Sequence, residues 1–164
     1  MRAELRWING VKPGRLTIGP RPLGGLYLPD QICRLRQGGV NVIVSLLEAD
    51  EALRFELQNE AAVCALNQMQ FLSFPVRDHA VPESLQKTAE FARKVNALLN
   101  AERSVLIHCF AGIGRSALLA ACILLLRGMN VVDACEAISE ARGLTVPETE
   151  EQLQWICKFK ESLS

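Results

Sequence analysis

The segment SVLIHCFAGIGRSALL, residues 104–119, places a thiol and a guanidinium where both could meet one anion. An apolar run ends at His108 and Cys109 follows it. Then comes a short loop with Gly112 and Gly114, and Arg115 and Ser116 open a second apolar run. Glycines let such a loop turn its backbone N–H groups inward as an anion-binding nest. A helix beginning near Arg115 adds unsatisfied donors and the positive end of its dipole. A thiol attacks only as thiolate, and a helix N-terminus with a nearby cation can lower a cysteine pKa by several units from about 8.5. Arg115 carries a planar fork that can hold two phosphoryl oxygens together, which lysine cannot. Ser116 could donate to the sulfur, and His108 could orient the loop through its ring nitrogens. The chemistry is that of a phosphate cradle with a nucleophile in its base. The pattern GxxxxGK[ST] is absent, which disfavours nucleotide hydrolysis of that type.

Those residues need elements to position them. Ser104–His108 reads as a buried strand, and a long helix is expected from near Gly114 to Arg127-Gly128, where glycine suits the C-terminal cap. Leu16–Ile18 and Val40–Leu46 look like strands, the second rich in β-branched residues. Between them Pro29-Asp30 opens a short helix that Gly38-Gly39 closes. Leu53, Leu57, Ala61 and Cys64 recur near helical spacing, predicting one helix from Glu51 to Asn67. Gln70–Val76 is extended again. A helix from about Pro82 to Asn100 carries Leu85, Ala89, Ala92, Val95 and Leu99 on one stripe. Two more follow, roughly Val131–Arg142 and Pro147–Ser162, the latter with proline in its first turn. Strands alternating with helices predict an α/β fold, with a mainly parallel sheet of four to five strands flanked by helices.

His108-Cys109-x-x-Gly112-x-x-Arg115-Ser116 resembles the HCxxGxxR[ST] loop of the protein tyrosine phosphatase superfamily. The likeness extends along most of the chain, toward the small atypical dual-specificity phosphatases. WINGVKPGRLTIGPRP is similar to their entry segment, VNVIVSLLEADE to their next strand and loop, and RGLTVPETEEQ to the segment before their last helix. Ala117 departs from the glycine of many relatives. The resemblance implies Cys109 as nucleophile, Arg115 and the loop residues Phe110, Ala111, Gly112, Ile113 and Gly114 as the substrate cradle, and Ser116 as a donor to sulfur.

It also implies an aspartate on a loop upstream of the cysteine strand, acting first as acid and then as base. In FPVRDHAVPE, Asp78 follows a strand and precedes a helix, and is preferred to Asp50, which follows a different strand. His79 either is exposed, the preferred reading, or assists acid catalysis, and His108 is expected to support the loop from beneath. Glu48 and Glu51 are expected to cap the next helix or pair with a cation. Gln152 either positions water, as a late-loop glutamine does in tyrosine phosphatases, or lies on the polar face of the final helix. The implied function is hydrolysis of phosphotyrosine, and of phosphoserine and phosphothreonine, through a cysteinyl-phosphate. That chemistry needs no metal or organic cofactor. Apolar and small residues at Phe110, Ala111 and Ile113, where phosphoinositide phosphatases often have lysines, point to phosphorylated protein partners. Lipid or RNA 5′-phosphates are the variant substrates. A rhodanese-type sulfurtransferase, whose loop is usually shorter and lacks the Arg-Ser ending, and an idle phosphate-binding module are the rivals.

Composition fits this reading. The 164 residues match one domain, 1–164, with zero net charge and 49% apolar residues. That balance gives no reason to expect a nucleic-acid surface. The longest apolar run, Ala117–Leu126, is about half of a membrane span, and no signal-peptide core opens the chain. Six cysteines without a CxxC pair suggest five buried reduced thiols besides Cys109, hence the cytoplasm. A monomer is expected, although the sequence leaves the oligomeric state open. Cys122, on the helix behind the loop, is a candidate disulfide partner for Cys109 under oxidation.

Overall fold

The computed structural model describes residues 4–164. Among them are four strands and seven α-helices. The strands are β1 (Arg15–Pro20), β2 (Val42–Ser45), β3 (Gln70–Ser73) and β4 (Ser104–Cys109). They form one sheet in the order β1-β4-β2-β3, with every pairing parallel. β4 lies between β1 and β2 with all six residues buried, which explains its nearly continuous apolar sequence. Its side chains alternate between two cores. Val105 and Ile107 face one, and Leu106 faces the other.

The larger core lies under α4 (Leu85–Asn100), α5 (Arg115–Leu126), α6 (Val131–Arg142) and α7 (Glu150–Ser162). α5 is buried from Arg115 through Leu125, as expected of a helix that is apolar all round. Full burial of Leu118, Leu119, Ile123 and Leu124 contributes about 1.5–3 kcal/mol each relative to exposure. The smaller core lies under α1 (Leu28–Gln37) and α3 (Glu60–Leu66), around Ile32, Ile43, Cys64 and Met69. In an open parallel sheet the crevice beyond the strand C-termini is the binding position, and β4 delivers Cys109 there.

Several expected boundaries move. The helix predicted over 51–67 is two helices, α2 (Ala49–Arg54) and α3. Leu53 is 65% exposed while Leu57 is buried, so the assumed stripe does not lie on one face. Instead Glu56 turns at φ 56° and the Leu57 N–H returns to the Ala52 carbonyl. α4 starts at Leu85 because the Ser84 hydroxyl accepts from the Lys87 N–H. α7 starts at Glu150 under a Thr149–Gln152 capping box, leaving Pro147 outside the helix. The cysteines also differ from expectation. Cys64 and Cys122 are core residues, but Cys33 and Cys135 are half-buried and Cys157 is exposed, since α7 buries Gln152, Trp155, Ile156 and Phe159 instead. Among the described residues no helix is long and apolar enough to cross a membrane.

Candidate active site

Residues 110–114 turn from the end of β4 into α5 beneath β1. Gly112 sits at φ 75°, and a Cβ there would come within 2.2 Å of the Gly19 carbonyl carbon. Glycine is therefore required twice, for the left-handed backbone and for the close approach. The Gly112 N–H donates to Cys109 Sγ at 3.3 Å, and Ser116 Oγ lies 3.1 Å from the same sulfur. From outside, Arg142 at the end of α6 donates to the carbonyls of Ala111 (2.9 Å) and Gly112 (3.0 Å). With those two carbonyls held by Arg142, the Gly112 N–H is the loop amide that meets the sulfur.

Arg115 is held by four hydrogen bonds. Its Nη1 donates to Glu51 Oε2 (2.8 Å) and to the Val76 carbonyl (2.9 Å). Its Nη2 donates to Glu51 Oε1 (3.0 Å) and Asp78 Oδ1 (2.9 Å). Burial alone would lower its pKa, but the hydrogen bonds to Glu51 and the charges of Cys109, Glu51 and Asp78 outweigh that, and the net direction is upward. Glu51 also accepts the Glu48 N–H at 2.9 Å, so one carboxylate caps α2 and pairs with Arg115. Both expected roles of the glutamates are met, the capping box joining Glu48 with Glu51.

These groups open into a cavity of about 210 Å³. Its floor is the loop, contributed by Cys109, Phe110, Ala111, Ile113, Gly114 and Arg115. The facing rim is Asp78, His79 and Glu148. The Phe110 ring packs on Phe55 at 5.1 Å, with the Arg21 guanidinium 4.2 Å above Phe55. Asp78 is half-exposed and also accepts the N–H of His79. His79 is exposed, as expected. Its ring lies 3.7 Å from Asp78 Oδ2 and 3.3 Å from Glu148 Oε2. Asp50 is exposed, pairs with Arg54, and does not line the cavity.

Two expectations change. Gln152 is neither a cavity group nor on a polar face. It is fully buried, accepting from the Thr149 N–H and donating to the Ala80 carbonyl, so it ties α7 to the loop of Asp78. Glu148 stands at the rim instead. Cys122 is six residues beyond Ser116 on α5, roughly 9 Å farther along the axis. A bridge to Cys109 would need backbone movement. Beneath the loop, His108 and Glu60 form a buried pair with Nε2 to Oε1 at 2.8 Å. Glu60, Arg142 and Glu148 were not singled out from sequence. Their partners lie 48, 30 and 69 residues away in the chain, and only the topology brings them together.

The model of the family described as "Polymorphic toxin system, DSP-PTPase phosphatase" matches residues 22–129. The chain belongs to this phosphatase family. Cyclin-dependent kinase inhibitor 3 of Sus scrofa is 30% identical over 92 residues, covering 55% of this chain and 43% of that protein. Protein 197R of Invertebrate iridescent virus 6, which carries a tyrosine phosphatase name, is 28% identical over 147 residues, 87% of this chain and 52% of its own. The phosphatase chain thus spans about half the length of the curated relatives it matches. Kinase-associated phosphatase, solved with its catalytic-site cysteine replaced by serine, has a TM-score of 0.86 at 20% identity, covering 98% of this chain and 95% of its own. PTPMT1 in complex with PI(5)P has a TM-score of 0.66 at 24% identity, covering 90% and 92%. Both share the fold of the small atypical dual-specificity phosphatases.

Proposed function

We propose that the protein is a phosphoprotein phosphatase that hydrolyses phosphotyrosine, phosphoserine and phosphothreonine through a cysteinyl-phosphate on Cys109. The observation that carries this reading is the sulfur at the base of the cavity, with the Gly112 N–H and Ser116 hydroxyl on it and the buried Arg115 fork beside it. The Cys109 thiolate attacks phosphorus in line while Arg115 and the loop amides hold the equatorial oxygens. Asp78 protonates the departing oxygen, and its carboxylate then takes a proton from the water that cleaves the S–P bond. Ser116 stabilises the sulfur as it leaves. Asp78 must release Arg115 Nη2 as the phosphoryl group arrives, which returns it to the rim facing the leaving oxygen.

Protein rather than lipid substrate is favoured by the cavity lining, which contains no lysine. A reduced thiol is the active form, so the reading includes a reducing compartment, the cytoplasm. It also includes a monomer. The test is hydrolysis of p-nitrophenyl phosphate in EDTA, followed by phosphopeptide and phosphatidylinositol phosphate panels. Turnover lost in Cys109→Ser, reduced about 100-fold or more in Asp78→Ala, and greater on phosphopeptides supports the proposal. A wild type that binds vanadate without turnover would make it a phosphate-binding module. Preference for the lipid would overturn the substrate class.

A further inference from the structure

Arg21 follows the end of β1 and sits beside the cavity mouth. Its backbone N–H donates to the Phe110 carbonyl at 3.1 Å, which fixes it to the loop. Its guanidinium carbon stands 4.2 Å from the centroid of the Phe55 ring and 5.4 Å from that of Phe110. Nη1 reaches the Pro22 carbonyl at 3.2 Å, while Nε is buried without a hydrogen-bond partner among the described residues. A buried donor left unmet costs free energy, so the aromatic stack rather than a hydrogen bond sets the position of this side chain. The ion pairs formed among the described residues do not include Arg21.

A purely structural stack looks different in this protein. Arg15 lies 4.1 Å from the Trp7 ring, but its Nε donates to Ser104 Oγ and its Nη2 to the Gly39 carbonyl, so that guanidinium is tied into the fold. Arg21 has its fork oriented by two rings and its charge unspent. The other charged groups at this corner have partners or point elsewhere. Arg54, 5.8 Å from the Phe55 ring, pairs with Asp50, and the Glu56 carboxylate is turned toward Gly25. Phe110 lines the cavity and is 44% exposed, so a chain whose phosphoryl group enters the cavity passes over it and meets Arg21. A guanidinium held on aromatic faces is weakly hydrated and presents a planar set of donors to an anion. We infer that Arg21, seated on Phe55 and Phe110, is a specificity-determining residue that receives an anionic side chain flanking the phosphorylated residue of a protein substrate. The inference deepens the proposed function and rests on it.

The test uses phosphotyrosine peptides of one sequence that carry glutamate, phosphoserine or glutamine at each position flanking the phosphotyrosine, with dephosphorylation followed by tyrosine absorbance. At one of those positions kcat/KM for the glutamate peptide should exceed that for the glutamine peptide about tenfold, the scale of one hydrogen bond to a charged group. Arg21→Gln should erase that ratio, and Arg21→Lys, which keeps the charge without the fork, should retain part of it. The ratio is taken within each protein, so a general loss of activity or stability cancels. A larger gain with phosphoserine supports the same site and assigns it a second phosphoryl group. No preference for an anion at any position in the wild type overturns the inference whether or not the variants fold. A preference that survives unchanged in Arg21→Gln overturns the role of Arg21. Turnover of every peptide without preference leaves the phosphatase reading standing, whereas no turnover of any peptide or of p-nitrophenyl phosphate sinks that reading. In that case the same ratio in dissociation constants, measured with Cys109→Ser, decides the subsite.

Discussion

Arg115 makes four hydrogen bonds, two of them to one carboxylate. Glu51 orients its fork. Glu51→Gln should lower kcat/KM about 100-fold, the scale of a small misplacement of a catalytic group. Breaking the buried pair should also destabilise the fold by about 3 kcal/mol, read as a urea midpoint. Asp78 plays the opposite part, occupying the Nη2 that a phosphoryl oxygen needs. Asp78→Ala should therefore slow turnover while tightening inhibition by inorganic phosphate severalfold, because a competing carboxylate is gone. Weaker phosphate binding in that variant would contradict the assignment. Glu51 could be named from sequence as a cap or an ion-pair partner, and is both. Its guanidinium was not identifiable, since Arg115 is 64 residues away.

The loop between β4 and α5 keeps its shape through contacts on three sides: Gly112 against β1, Arg142 on its carbonyls, and α5 sunk in the core. Gly112→Ala should abolish turnover and lower the melting temperature, since its Cβ meets backbone that cannot move aside. Arg142→Ala should lower kcat/KM and lower the melting temperature by less than Gly112→Ala does, because among the described residues that side chain bonds two loop carbonyls rather than holding the loop's backbone itself. Equal losses in stability for both would contradict the bracing role. The elements that place this loop were legible. β4 announced itself as SVLIH and α5 as an unbroken apolar run closed by Arg127-Gly128. The region 51–67 was not legible, because Leu53, Leu57 and Ala61 imitate a stripe that the turn at Glu56 interrupts. Pro147 likewise imitated a helix start, while the Thr149–Gln152 capping box set the real one.

Across the whole molecule, one parallel sheet brings Asp78, from the segment after β3, and Cys109, at the end of β4, to a single cavity, where Glu51 of α2 holds Arg115. Sequence revealed the members carried by a local motif, Cys109 through Ser116, but not those joined by tertiary pairing, such as Glu60 with His108. Burial also sets a pH limit on the fold. The Cys64 thiol has its pKa raised from 9.0 to about 12 by desolvation and then by Glu60. Between those values the unfolded chain releases this proton while the native state keeps it. Stability should be intact below pH 9.0 and fall as pH rises toward about 12. Urea midpoints should decline less steeply over that range in Cys64→Ala, and an identical decline would contradict this source. The nucleophile itself is best tested by acid-quenching a reaction with p-nitrophenyl phosphate in its first turnover and mapping phosphate by mass spectrometry. The peptide containing Cys109 should carry one phosphoryl group, absent in Cys109→Ser; turnover that continues with that peptide unmodified, or with phosphate on another residue, would contradict the mechanism.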